Sequence, residues 1–430
     1  MSRQRNTILS FLFILSFQFH LMHSKSIIKR LPGYPSNLPF KLETGYVGIG
    51  KNEDVQLFYY FVESTRNPEE DPLIFYIPGG PGASALIAFL YEIGPLMFDL
   101  DNGQDNITLK LNPNSWLQMA NIIFMDIPAG TGYSYADTQE GWISSDSILV
   151  NQANDFIKKF LIDHPKFLKN PLYVAGISYT GIVVPKITLE IYEGNEGGDQ
   201  QTLNIQGYIL ISPLTDKFND FNSRLEYAYR MALISDDIHK SAIENCNGNY
   251  VTVDTLNALC ANSLHRYKQN NFIKVVEIWA NTEVAQQALN VRQGKIGKWK
   301  LFNNTMHYNQ GKNDTECYAY DIFSSFAYHK KLSSKNCRAL ILSGDHDMTF
   351  PYVGVEQWIT SLNLGIEIPW KPFYVDGQVG GYQTKYAQND YSLTFTTVKG
   401  AGHIVPNCKP KETMLVTELW FSSPTYSSDS

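Results

Sequence analysis

Four short stretches of the chain hold residues whose types and spacing could carry out acyl chemistry. The first is Gly176-Ile-Ser178-Tyr-Thr-Gly181, which follows the apolar run Leu172–Ala175 and precedes a helical pattern beginning near Val183. A serine on a sharp strand-to-helix turn is presented as a nucleophile, and such a turn needs small residues two positions away on each side. Gly176 meets that need upstream; Thr180 occupies the downstream position, with Gly181 one residue later. The second stretch, Ser343-Gly344-Asp345-His346-Asp347, follows Ala339–Leu342 and closes at Pro351. A carboxylate there could orient an imidazole, and Asp345 and Asp347 compete for the role. The spacing Gly-x-x-Asp-x-x-x-Pro favours Asp347, past the tight turn. In the third stretch, Val398 to Pro406, small residues beside His403 would let its ring approach the serine. Imidazole titrates near neutrality, so it could take the serine proton and return it to a leaving group. The fourth, Pro78-Gly79-Gly80-Pro81-Gly82, could aim the Gly80 amide at a developing oxyanion, with the Tyr179 amide as second donor. It lacks the Lys-Ser/Thr of a P-loop and the helix-opening GxGxxG pattern, which excludes a phosphate cradle.

These stretches need a scaffold that brings them to one edge. Short apolar runs at Leu73–Ile77, Asn121–Met125, Leu172–Ala175, Gln206–Ile211, Ala339–Leu342 and Leu393–Val398 read as strands alternating with helical patterns, which makes the class α/β. Punctuation by Gly, Pro or Asp at their carboxyl ends is where open sheets of this class place ligands. The chain order serine, aspartate, histidine is that of an α/β-hydrolase fold. Residues 213–320 are more polar and helix-patterned, and read as a mainly helical cap insertion. The core would then be discontinuous, comprising 25–212 and 321–430.

Composition agrees with an enzyme-sized globular chain. Its 430 residues are 43% hydrophobic, 13% aromatic and 18% charged, which excludes a disordered chain and allows a deep core. With 35 Lys+Arg against 42 Asp+Glu the net charge is −7, and no long basic run points to a nucleic-acid partner. Arg3 and Arg5 precede an apolar stretch from Ile8 to Phe19 and small or polar residues near Ser24, the pattern of a secretory signal peptide over 1–24. The apolar run is short of the roughly 20 residues a spanning helix needs, so no membrane anchor is expected after its removal. Without Arg3 and Arg5 the balance is 33 basic to 42 acidic residues, or −9. Secretory routing makes Asn106, Asn303 and Asn313, each in an Asn-x-Thr sequon, glycosylation candidates. The histidines are scattered without paired ligand spacing, so neither a metal nor a cofactor is expected.

Taken together, the segments 77–84 (IPGGPGAS), 121–136 (NIIFMDIPAGTGYSYA), 172–185 (LYVAGISYTGIVVP), 338–351 (RALILSGDHDMTFP) and 397–406 (TVKGAGHIVP) resemble the serine carboxypeptidase (S10) family of the plant type. The similarity runs from about Ile27 to Phe421. It implies a triad at Ser178, Asp347 and His403, with oxyanion donors at Gly80 and Tyr179, and so settles Asp347 over Asp345. The resemblance also implies a disulfide between Cys246 and Cys260. The family's cysteine in the glycine-rich loop is Ala83 here, which strands its usual partner, resembling Cys317. Cys337 and Cys408 fall where the family pattern has none.

Two substrate-binding positions depart from that pattern. Family carboxypeptidases resemble W-L-N-G-G-P-G-C-S and G-E-S-Y-A-G, whose Asn and Glu hold a peptide's terminal carboxylate. Here those positions, beside Gly79 and Ser178, are Pro78 and Ile177, and Tyr76 replaces the tryptophan. Losing both hydrogen bonds should weaken carboxylate binding by several kcal/mol, at about 1.5–3 for each bond to a charged group. Related plant acyltransferases resemble W-L-T-G-G-P-G-C-S and G-D-S-Y-S-G, which also differ at these positions, but the stretches 344–351 and 378–382 look most like that branch. The favoured expectation is therefore acyl transfer from acyl-glucose esters to acceptor alcohols. A carboxypeptidase acting on peptide C-termini comes second and a weakly active or non-catalytic binding homologue third. The compartment would be extracellular or vacuolar.

Overall fold

The run Val55-Gln-Leu-Phe-Tyr-Tyr-Phe-Val62 sends alternate side chains to opposite sides, as the two-residue period of a strand requires. Leu57, Tyr59 and Phe61 join one apolar cluster, whereas Phe58, Tyr60 and Val62 join another. Leu73–Ile77 repeats the division: Leu73, Phe75 and Ile77 face the first cluster, Ile74 and Tyr76 the second. A sheet covered on both faces follows, and its central strands read as unbroken apolar runs for that reason. The computed structural model describes residues 25–99, 108–199, 201–251, 257, 260, 279–292, 294–295, 298–300, 307–308 and 317–422. The expected signal peptide and the sequon residues Asn106, Asn303 and Asn313 lie outside the described residues.

The strands of the main sheet are β1 (Lys25–Ile28), β2 (Leu42–Ile49), β3 (Val55–Val62), β4 (Leu73–Ile77), β5 (Asn121–Met125), β6 (Leu172–Ile177), β7 (Ile205–Ile211), β8 (Arg338–Gly344), β9 (Gly365–Val375), β10 (Gln378–Gln388) and β11 (Tyr391–Val398). Their spatial order is β1-β2-β3-β5-β4-β6-β7-β8-β11-β10-β9, and Tyr135–Ala136 adds a short pairing to β3. The six strands from β5 to β11 in that order are parallel, and antiparallel strands flank them on both sides. The expected runs at β4 and β5 match to the residue. β6 runs on to Ile177, directly into the serine turn. The flanking antiparallel strands were not among the expected elements.

Helices α1 (Asp146–Asp163), α2 (Val184–Gly197), α3 (Lys217–Arg230), α4 (Tyr352–Ser361) and α5 (Pro410–Ser422) surround this sheet. α1 starts at Ser145, whose side chain accepts the Ile148 N–H, and buries Leu149, Ala153, Phe156 and Phe160 along one face. Phe160 packs edge-on against Tyr59 and Phe61 of β3. Each buried phenylalanine stabilises this layer by about 1.5–3 kcal/mol. α2 begins within the turn after Ser178, with proline in its first turn, and ends at Gly198 at φ +83°. This is an α/β-hydrolase fold. Within 213–320 the described residues include α3, a helix at Asp236–Asn245 and another at Glu283–Ala288. Cys246 and Cys260 are joined by a disulfide. Cys337 is free and buried, Cys408 free and exposed, and the side chain of Cys317 lies outside the described residues. No helix among the described residues is long and apolar enough to cross a membrane.

Candidate active site

Ser178 sits at the carboxyl end of β6 with φ +63°, a left-handed conformation that costs a non-glycine residue free energy and persists where surrounding structure enforces it. The enforcement is visible in its neighbours. A Cβ on Gly176 would fall 2.3 Å from Thr180 Oγ1, so the missing side chain upstream makes room for the threonine downstream. Thr180 uses that room to donate from Oγ1 to the Ile177 carbonyl at 2.8 Å. Thr180 therefore occupies the place where a small residue is expected, and Gly176 compensates. Gly181 meets the backbone of the β7 loop: its Cβ would lie 2.4 Å from the Leu214 oxygen. On the other side, a Cβ on Gly79 would fall 2.7 Å from Ser178 Cβ, so the glycine-rich loop lies directly against the serine.

The structure brings the three separated loops together at this point. His403 Nε2 is 2.9 Å from Ser178 Oγ, and His403 Nδ1 is 2.8 Å from Asp347 Oδ2. Asp347 is fully buried, and its Oδ1 accepts the N–H groups of Thr349 at 2.7 Å and Phe350 at 3.2 Å. Both carboxylate oxygens are thus fixed, one by backbone and one by the imidazole. The Phe350 ring meets His403 edge-on at 5.5 Å between centroids. Gly80, at φ +121°, is exposed at the end of its loop, and Tyr179 lies in the first turn of a 3-10 helix, where N–H groups have no intrahelical acceptor.

Asp345 has a different place. Its Oδ1 accepts the Gly400 N–H at 2.6 Å, and its own N–H donates to the Val398 carbonyl at 3.2 Å. His346 N–H adds a bond to Ala401 O at 2.9 Å. Asp345 therefore laces the aspartate loop to the histidine loop two to three residues before His403. Gly344 permits the approach, since a Cβ there would lie 2.3 Å from the Ala401 oxygen.

Three buried carboxyl groups around the site lay outside the sequence reading. Glu92 sits within a π-helical turn, and its Oε2 accepts the Tyr76 hydroxyl proton at 2.6 Å. Burial pushes Glu92 up to about 7, an effect that the Tyr76 hydrogen bond and, to a smaller extent, the nearby His403 only partly offset. A lone acid in the apolar run Ala85–Ile93 was the available signal. Asp126, also pushed up to about 7 by burial, accepts from Ser84 Oγ at 2.8 Å and from the N–H groups of Ala85 at 2.7 Å and Tyr133 at 2.9 Å. It holds the far end of the glycine-rich loop. Asp146 accepts the hydroxyl protons of Tyr179 at 2.5 Å and Tyr318 at 2.8 Å, fixing the side chain that follows the serine. Pro78 and Ile177 are buried and offer no side-chain donor or acceptor.

The fold agrees with what comparison finds. A profile of the serine carboxypeptidase family matches residues 32–276 and 270–423. The chain is 42% identical to serine carboxypeptidase-like 13 of Arabidopsis thaliana, over 96% of this chain and 97% of that protein. It is 40% identical to serine carboxypeptidase-like 17 of the same plant, over 95% and 96%. Among solved structures it is similar to Kex1, a prohormone-processing carboxypeptidase from Saccharomyces cerevisiae, with a TM-score of 0.71 at 18% identity, covering 92% of this chain and 94% of that one. The chain belongs to the serine carboxypeptidase family, peptidase S10.

Proposed function

We propose that Ser178, His403 and Asp347 form a catalytic triad that transfers an acyl group from an acyl-glucose ester to an acceptor alcohol. Ser178 Oγ attacks the ester carbonyl as His403 Nε2 takes its proton, and the Gly80 and Tyr179 amides receive the oxyanion. Asp347 holds Nδ1–H and stabilises the imidazolium. His403 returns the proton to the departing glucose oxygen, leaving an acyl-Ser178 ester. The acceptor hydroxyl then gives its proton to His403, its oxygen bonds to the acyl carbon, and Ser178 regains its proton. Residues 213–320, as a cap, would shelter this intermediate from water.

The observation that carries this reading is the pairing of an intact triad geometry with Pro78 and Ile177, which provide no hydrogen bond for a peptide carboxylate. A second reading, carboxypeptidase action, draws on Glu92. Below about pH 7 its carboxyl is neutral, so that while it accepts the Tyr76 hydroxyl proton its own O–H is left to donate to a terminal carboxylate. A secretory route ending in an acidic vacuole or outside the cell fits either. Purified protein offered acyl-glucoses with mixed alcohols, and blocked dipeptides separately, is expected to give new esters by mass spectrometry. Release of free amino acids without ester formation sinks the acyl-transfer reading.

Asp345 serves as a positioning residue. Asp345→Ala is expected to lower kcat about ten- to hundredfold by letting the histidine loop drift. Asp345→Asn, which keeps an oxygen for the Gly400 N–H, should recover most of that loss; equal losses in both variants would count against the role.

A further inference from the structure

Helix α3 turns one face towards the loop that carries Asp347. Gly354, in the first turn of α4 just past that loop, lets the two helices touch: a Cβ there would lie 2.8 Å from Ser223 Oγ. Arg224 and Tyr227, three residues apart and so on one face of α3, both reach the loop. Arg224 donates from Nε at 2.9 Å and from Nη2 at 2.6 Å to one acceptor, the Thr349 carbonyl. Tyr227, which is buried, donates its hydroxyl proton to the Asp345 carbonyl at 2.9 Å.

Each of these carbonyls shares a peptide bond with an N–H that holds part of the site. The Thr349 carbonyl is joined to the Phe350 N–H, which donates to Asp347 Oδ1 at 3.2 Å. The Asp345 carbonyl is joined to the His346 N–H, which donates at 2.9 Å to the Ala401 oxygen, two residues before His403. A donor at the oxygen of a peptide group polarises the N–H at its other end and strengthens the bond which that N–H makes. The effect is larger for a charged donor such as a guanidinium. One relay therefore ends on the carboxylate that faces the imidazole, and the other on the loop that carries the imidazole. Ring packing follows the same line. The Arg224 guanidinium lies 4.4 Å from the Phe221 centroid and 5.9 Å from that of Phe350, the ring that meets His403 edge-on.

Building on the reading of Ser178, His403 and Asp347 as a triad, we infer that Arg224 and Tyr227 are positioning residues for its reaction, holding the acid and base loops against each other through these two peptide groups. Arg224 acts through Asp347, and Tyr227 acts through the histidine loop. Because α3 opens the stretch expected to form a cap, that stretch also governs the chemical step.

The test measures kcat and KM on p-nitrophenyl acetate, normalised to the folded fraction from circular dichroism. Arg224→Met is expected to lower kcat about tenfold or more with KM changed less than about twofold, as loss of a charged donor allows. Arg224→Lys, which keeps the charge and a donor, should recover most of that loss. Tyr227→Phe should lower kcat about three- to tenfold. The decisive comparison repeats Arg224→Met in an Asp347→Ala background, where the relay has lost its end and the substitution should change kcat by less than about twofold. A residue that merely supports the fold would cost the same factor in both backgrounds, and that result overturns the assignment. So does an unchanged kcat in Arg224→Met or Tyr227→Phe, or an equal loss in Arg224→Lys. Retention of a hundredth or more of kcat in Asp347→Ala alone overturns the triad reading, and the inference with it.

Discussion

Ser178→Ala is expected to lower kcat by about a millionfold, the scale seen when the nucleophile of a serine triad is removed. The geometry gives the reason. Ser178 Oγ is the group that His403 Nε2 reaches, at 2.9 Å, and the turn at φ +63° presents it against Gly79. Among the described residues no other hydroxyl bonds to His403 Nε2, so attack on a carbonyl has no substitute route. His403→Ala should cost about as much, and the double variant no more than either, because the residues act as a unit. Asp347→Asn should cost about ten-thousandfold by favouring the wrong imidazole tautomer. Initial rates on an activated ester, with fluorophosphonate labelling as a parallel readout, check all four variants. Retention of a hundredth or more of wild-type turnover in Ser178→Ala would contradict the assignment.

The protein is expected to be more stable at pH 5 than at pH 8. Glu92, Asp126 and Asp220 are each buried and pushed up to about 7, from ordinary values of 4.5, 3.8 and 3.8. In the unfolded chain these groups lose their protons near pH 4, whereas the folded chain holds them until about 7. Their stabilising contribution is therefore complete below about pH 4 and is lost as pH rises through 7. The scale is on the order of 3–4 kcal/mol for each group, since one pKa unit corresponds to about 1.36 kcal/mol. Glu43 has the opposite sign: although burial opposes ionisation, its bonds to His164 and Tyr59 hold it below its ordinary value, so its contribution is lost in acid. His329 also works the other way, since burial holds its ring down to about 3 and its neutral form gains stability as pH rises towards 6.5. The three carboxyls together outweigh it, and a stability maximum on the acidic side of neutrality follows. Thermal unfolding across pH 4–8 measures it, and Glu92→Gln, neutral at every pH, should flatten the loss between pH 5 and 8. A melting temperature that rises from pH 5 to pH 8 would contradict the account.

The centre of the fold was legible because strands covered on both faces leave no room for polar residues. Leu73–Ile77 and Asn121–Met125 are continuous apolar runs, and the structure begins and ends them at the expected residues. The flanks were opaque for the converse reason. β2 carries Glu43 and Thr44, which are buried only because Tyr59, His164 and the Leu289 carbonyl meet them from distant parts of the chain. β9 contains Pro369, Pro372 and Lys371 and is mostly exposed, so its strand character comes from pairing with β10. The same contrast governs the site. Ser178, Asp347 and His403 were legible because each stands in a loop whose glycines answer a local steric demand. Asp345 was weighed as a rival to Asp347, and its bond to Gly400 becomes visible only when the two loops meet.

The most direct measurement is the mass of the Ser178 peptide after brief mixing with an acyl-glucose, followed by a chase with alcohol or with buffer alone. Acyl transfer predicts a gain of one acyl group on Ser178 that the alcohol removes as an ester, faster than buffer removes it as free acid. An unmodified Ser178, or discharge only to free acid whatever alcohol is present, would contradict the central claim.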